Sequence, residues 1–289
     1  MPHYEIHSCE QMIELIQQLG FLPLLASGIS GYSAEEMADE ECRYIVFPDG
    51  GWDWPLWKWK GIIINESDCV YGKFFNGSPR KNKNTADMLQ SAMRGAEAAG
   101  AECELVNLYD IDFKGCKSCF ACKVKNSKTN GVCALKDDLR PILERCRQAD
   151  VIVLGSPVYY SYPTGVMRSF LERLCFPVGT YLIENGQRIC LRDKVIPTAM
   201  IFTMNCPEAL MQKIGYPAIL EENTKVLGEI FGYSETLYVY NTYQFSDYSR
   251  YDFNAFSEED KRKYRDEHYD IDLKNAYELG KRLVQKVQL

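Results

Sequence analysis

The chain has 289 residues, of which 46% are hydrophobic and 25% charged, and its formal net charge is −7. This is the balance of a water-soluble globular protein with room for one large domain and an appendage, and the acidic excess argues against a nucleic-acid partner. No run of about 18 apolar residues predicts a membrane span, and residues 1–7 show neither a basic leader nor an apolar signal core. The expectation is a cytoplasmic protein with no membrane partner.

The first 68 residues predict an N-terminal extension. Residues 8–19 read as a helix with Ser8 as its cap and Met12, Ile13, Ile16 and Leu19 on its apolar face. All four tryptophans (Trp52, Trp54, Trp57 and Trp59) fall within residues 50–59, as expected of a packed hydrophobic cap or a subunit interface. A main domain then spans residues 69–289. It opens with a short buried strand over residues 69–75, a polar loop over 77–85 and an amphipathic helix over 85–99 that stops at Gly100. Strands are predicted over 102–107, 150–155, 195–203 and 235–240, and helices over 137–148, 165–174, 220–231 and 273–287. Pro197 places the start of its strand near an edge or bulge. Strands alternating with helices at this spacing predict an α/β fold with a central parallel sheet covered on both faces.

The loop Gly77-Ser78-Pro79-Arg80-Lys81-Asn82-Lys83-Asn84-Thr85 carries the clearest chemistry. A strand that turns through Gly and small polar residues into a helix start presents unpaired N–H groups and the positive end of the helix dipole. Ser78, Asn82, Asn84 and Thr85 add hydroxyls and amides, and Arg80 adds charge, so the loop is suited to a phosphate. In parallel sheets, ligands sit at the carboxyl ends of strands beside the switch in strand order. Residues 77–85, 156–164 and 203–206 are all predicted to lie there.

Twelve cysteines without an export signal read as reduced thiols. Cys103, Cys146 and Cys175 sit in periodic apolar segments as core residues. Cys116, Cys119, Cys122 and Cys133 form a cluster in sequence. Free thiols, a [4Fe–4S] cluster and zinc are its three readings, in that order of preference.

The loop at 77–85, the Cys-x-x-Cys-x-x-Cys segment, Asp137-Asp138-Leu139, the run Ala149–Tyr160 and the segment Gly165–Arg173 occur in one order. Together they resemble the flavodoxin-like NAD(P)H-dependent FMN reductase family, including its iron–sulfur flavoprotein branch. The resemblance runs from about residue 69 to the C-terminus. It implies a flavodoxin-like three-layer sandwich that binds FMN, uses NAD(P)H to reduce a small acceptor, and assembles as a homodimer or tetramer. It further implies that Ser78, Arg80, Asn82, Asn84 and Thr85 hold the FMN phosphate. Pro157, Val158, Tyr159 and Tyr160 would line the isoalloxazine ring, and Thr203, Met204 and Asn205 would approach it from the other side. No side chain is assigned a catalytic proton transfer, because the flavin carries the chemistry. In the extension, Gly20-Phe21-Leu22-Pro23-Leu24, the Trp-rich block and residues 69–75 resemble bacterial proteins related to winged-helix DNA glycosylases. No DNA activity is carried over.

Overall fold

A computed structural model describes residues 70–287 apart from 127, 128 and 130. The readings made for residues 1–68, including the 8–19 helix and the Trp-rich block, lie outside the described residues.

The apolar runs become strands β1 (Val70–Asn76), β2 (Ala101–Asn107), β3 (Val151–Tyr159), β7 (Ile196–Thr203) and β8 (Gly232–Val239). They form one sheet in the order β2-β1-β3-β7-β8, with every neighbouring pair parallel. A two-residue strand, β4 (Tyr162–Pro163), turns back antiparallel on β3. A separate hairpin joins β5 (Gly179–Glu184) and β6 (Gln187–Cys190). The helices are α1 (Asn84–Ala98), α2 (Leu139–Cys146), α3 (Gly165–Val178), α4 (Glu208–Lys213), α5 (Tyr216–Phe231) and α6 (Glu258–Val287).

The strands read as continuous apolar runs because both faces of the sheet are buried. Phe74, Val151, Val153, Ala199 and Ile201 face the core shared with α1 and α6. Their neighbours Phe75, Ile152, Leu154, Met200 and Phe202 face the opposite core, shared with α2, α3 and α5. The period-2 alternation of a strand thus serves two cores at once, which makes the three-layer sandwich. The strand order reverses between β1 and β3, and this fixes the position of the crevice.

Two sequence expectations are corrected, and two elements were not foreseen. The last helix begins at Glu258, not residue 273. Its first half turns Lys261, Tyr264, His268, Tyr269 and Asp272 inward, so no apolar stripe announced it. The strand containing Pro197 is interior to the sheet, not at its edge. The ladder to β3 nevertheless begins only at Thr198, so Pro197 is paired on the β8 side alone, with Tyr233. The β5–β6 hairpin and α4 carried no signal that distinguished them from loops.

Helices α1 and α6 meet at glycines. A β-carbon on Gly95 would stand 1.9 Å from the Tyr277 carbonyl oxygen, and one on Gly280 would stand 1.8 Å from that of Ala92. Backbone, not a pliable side chain, blocks each position. Gly280→Ala is therefore expected to force the helices apart and cost about 1–3 kcal/mol or more. Urea unfolding measures this, and an unchanged midpoint would mean the helices do not touch there.

Candidate active site

The carboxyl ends of β1, β3 and β7 are bound into one floor. Gly77 N–H donates to the Gly155 carbonyl at 2.8 Å, and Thr164 Oγ1 donates to the Gly77 carbonyl at 2.8 Å. The same Thr164 oxygen caps α3 by accepting from Met167 N–H. Thr85 and Thr203 share a hydroxyl hydrogen bond of 2.7 Å across the crevice. The loops at 77–85, 156–164 and 203–206 are thus brought together as expected.

Within the first loop, Asn76 is fully buried. Its Oδ1 accepts from Ser78 N–H at 3.0 Å, while its Nδ2 donates to Asn107 Oδ1 at 2.9 Å. Ser78 Oγ accepts from Arg80 N–H at 3.1 Å. The start of α1 is different: its N-cap is Lys83 in an extended conformation, and no side chain caps that end. Ala86 N–H turns back to the Lys83 carbonyl at 2.7 Å, which leaves the N–H groups of Asn84 and Thr85 for an anion. Arg80 and Asn84, both predicted to hold phosphate, point to carbonyls of a later segment. Arg80 Nη1 donates to Gln244 O at 2.6 Å and Asn84 Nδ2 to Tyr243 O at 2.9 Å. Asn82 is exposed.

In the second loop, Pro157 and Val158 are half-buried, whereas Tyr159 is 48% and Tyr160 96% exposed. Tyr160 and Ser161 form the tip between β3 and β4, with φ of 49° and 73°. Asn-Gly normally fills such a tip, and a bulky residue there stores of order 1–3 kcal/mol of strain. Strain of that kind gathers where a side chain must be presented.

In the third loop, Thr203 and Met204 are buried, and Asn205 Oδ1 is buried without a hydrogen-bond partner among the described residues. An orphan acceptor of this kind calls for a donor that the chain does not supply, such as water or a ligand. The loop is zipped to the exit of β8 by Met204 N–H to Val239 O, Asn241 N–H to Cys206 O and Thr242 N–H to Met204 O. Beneath it lies Lys261, completely buried, which donates to Asn205 O and to Asn241 Oδ1, each at 2.8 Å. Neither Lys261 nor the 241–244 segment was identified from sequence. Asn76 and Thr164 were likewise missed, although a polar residue closing an apolar strand and a Thr preceding a helix were available signals.

The four cysteines have different surroundings. Cys133 Sγ accepts from Arg173 Nε at 3.3 Å, Cys116 Sγ accepts from Ser118 N–H at 3.4 Å, Cys122 is buried and Cys119 is exposed. Burial pushes the Cys122 thiol up, with Lys123 opposing. Among the described residues no three His, Cys, Asp or Glu side chains are placed to share a metal ion. This arrangement does not fit a [4Fe–4S] cluster or a zinc site.

A five-stranded parallel sheet in this order, with its polar loops gathered at the strand ends beside the order switch, defines a flavodoxin-like α/β protein. Residues 74–204, somewhat under half of the chain, match the family model described as NADPH-dependent FMN reductase. Residues 6–80 match a second model, described as AlkZ related. An iron-sulfur flavoprotein of Archaeoglobus fulgidus is 35% identical over 111 residues, covering 38% of this chain and 52% of that protein. One from Methanosarcina thermophila is 32% identical over 131 residues, covering 42% of this chain and 66% of that protein. The chain spans about half the length of the first of the curated relatives it matches. Among solved structures, an azoreductase from Bacillus anthracis aligns with a TM-score of 0.53 at 12% identity, over 74% of this chain and 99% of that one. An NAD(P)H:quinone oxidoreductase from Methanothermobacter marburgensis aligns with a TM-score of 0.52 at 13% identity, with the same coverage. At these identities the two structures establish the fold.

Lys261 lies beyond the family match, which stops at residue 204. Burial pushes its pKa down to about 8 from the usual 10.5, with Cys206 opposing. The unfolded chain therefore holds the proton more tightly between those pH values, and stability rises with pH across that window. Below pH 8 the cost of the buried charge is fully present. The neutral amine still has two N–H groups for its two acceptors, so deprotonation breaks neither bond. The unfolding free energy of the wild type, relative to Lys261→Met, should rise between pH 8 and 10.5 and stay level below 8. A level difference throughout would mean that Lys261 is solvated.

Proposed function

We propose that this domain is an FMN-dependent oxidoreductase that takes hydride from NAD(P)H and delivers it to a small acceptor such as a quinone, nitro or azo compound, ferric chelate or free flavin. The observation that carries the reading is the uncapped start of α1 at the β1/β3 switch point, faced by two further strand-end loops. Bound FMN would supply the hydride-accepting and hydride-donating ring.

The chain's own groups fit that cofactor. First-turn N–H groups of α1, with Ser78, Arg80, Asn82, Asn84 and Thr85, would bind the phosphate. Arg80 and Asn84 would exchange the carbonyls of Gln244 and Tyr243 for a charged acceptor, gaining charge-assisted hydrogen bonds about twice as strong as neutral ones. Pro157, Val158, Tyr159 and Tyr160 would cover one part of the ring and exclude water. Thr203, Met204 and Asn205 would flank it from β7, with the orphan Asn205 Oδ1 ready to accept a ring N–H. The exposed Tyr159, Tyr160 and Tyr162 suit a site completed by a second subunit, in a homodimer or tetramer. Residues 1–68 would form a separate extension to the 69–289 domain.

The absorbance spectrum of the purified full chain tests the cofactor, and rapid loss of flavin colour on adding NADPH or NADH tests the hydride donor. Arg80→Ala combined with Thr85→Ala is expected to weaken FMN binding by about 2–5 kcal/mol through lost hydrogen bonds. Undiminished affinity would place the phosphate elsewhere.

A second reading, electron transfer or redox sensing without fast NAD(P)H oxidation, draws support from the relatives named iron-sulfur flavoproteins. It requires Cys116, Cys119, Cys122 and Cys133 to rearrange, with Cys133 leaving Arg173. Iron analysis of anaerobically purified protein separates the two readings: about four irons per chain would support the cluster, and iron far below one per chain would remove it.

A further inference from the structure

The end of the sheet opposite the candidate active site contains a cavity of about 290 Å³. It lies where α2, α3 and α5 finish and where the chain leads into β7, so the whole depth of the sheet separates it from the loops at 77–85 and 203–206. Its size is at the small end of the range for ligand pockets, roughly 300–1,000 Å³. Leu174, Val178 and Phe231 supply an apolar wall.

Four cationic side chains line the same space: Arg147, Arg173, Arg192 and Lys194. Two of them are already neutralised. Arg173 makes a bidentate pair with Asp137, and Lys194 is paired with Asp150. Arg147 and Arg192 have no carboxylate partner among the described residues, and Asp193 is the one acidic residue in the lining. Arg192 is the more telling. Its Nε is buried and has no hydrogen-bond acceptor. Its guanidinium carbon lies only 3.2 Å from where a β-carbon on Gly232 would stand, so the left-handed glycine that ends α5 (φ 97°) makes the room it occupies. A buried, unsatisfied donor on a charged group costs more than the roughly 1–3 kcal/mol of a neutral one. Such a group calls for an acceptor that the chain itself does not supply.

We propose that this cavity is a second small-molecule site, which binds a monocarboxylate with a short apolar body. The carboxylate would face Arg192 and Arg147, whose planar forks match two carboxylate oxygens. The apolar body would lie along Leu174, Val178 and Phe231. A phosphate has the charge for this site but nothing to place against that wall. The site is independent of the flavin reading, because it shares no residue with the loops at the other end of the sheet.

The test is calorimetric titration of the purified full chain with octanoate, with inorganic phosphate as the tailless control. The expected result is saturable binding of one octanoate per chain, weakened at least tenfold in Arg192→Met. Arg147→Gln, at an exposed position, should weaken it as well, and Leu174→Phe should close the cavity and abolish it. Thermal unfolding of each variant shows whether it is folded, and Arg147→Gln keeps the test informative if Arg192→Met is not. Flavin content and spectrum should be unchanged throughout. Absence of saturable binding, equal affinity in folded variants, phosphate binding as tight as octanoate, or displacement of flavin by octanoate would each overturn the proposal.

Discussion

The candidate active site depends on one constraint: β1, β3 and β7 run parallel with both faces buried, so their carboxyl ends must finish together at the edge of a dry sheet. Backbone groups leaving such a sheet have no water beneath them and need partners within the protein. Those partners are Gly155 O for Gly77 N–H, Thr164 Oγ1 for Gly77 O, and the Thr85–Thr203 hydroxyl pair. The bonds that satisfy the strand ends are the same bonds that align the three loops. A change that disturbed the parallel register would orphan these groups and scatter the site together.

A second tier of structure lies outside the part of the chain shared with the reductase family. The 239–244 segment is zipped to the third loop on one side and offers its carbonyls to Arg80 and Asn84 on the other. Lys261 ties this segment to Asn205 through Asn241. The far half of the chain is thereby coupled to the 77–85 loop through backbone carbonyls, which carry no net charge and leave the Arg80 cation un-neutralised. Arg80 is kept in place without being discharged. An acidic side chain in the same position would compete with phosphate instead.

What was legible in the sequence follows from which signals are local. The parallel sheet could be read because burial on both faces writes itself as uninterrupted apolar runs, and the strand–turn–helix junction at 77–85 because its parts are contiguous. The first half of α6 could not be read, since its inward face is Lys261, Tyr264 and Asp272, and polar residues are inward only because distant partners receive them. Pro197 misled for a related reason. Its restriction belongs to one ladder, and only the register shows that the β3 ladder starts one residue later. Cys116, Cys119, Cys122 and Cys133 show another limit: their spacing left free thiols, a cluster and zinc all open, and nothing local announced that Cys133 accepts from the distant Arg173.

Arg173 lines the cavity at the other end of the sheet. It is almost fully buried, yet Asp137 meets it with both carboxylate oxygens, and the pairing holds the Asp137 carboxyl below the usual carboxylate range. A buried pair of this kind contributes little net stability, but removal of either partner leaves a bare charge in the core. Arg192, a short distance away in the same cavity wall, has no such carboxylate. The chain evidently can supply a carboxylate to a buried guanidinium, because it does so for Arg173 and, with Asp150, for the ammonium of Lys194. That it supplies none to Arg192 is what distinguishes a binding residue from a structural one. An internal carboxylate at that point would quench one of the two cations, Arg192 and Arg147, that can meet a ligand beside the apolar wall.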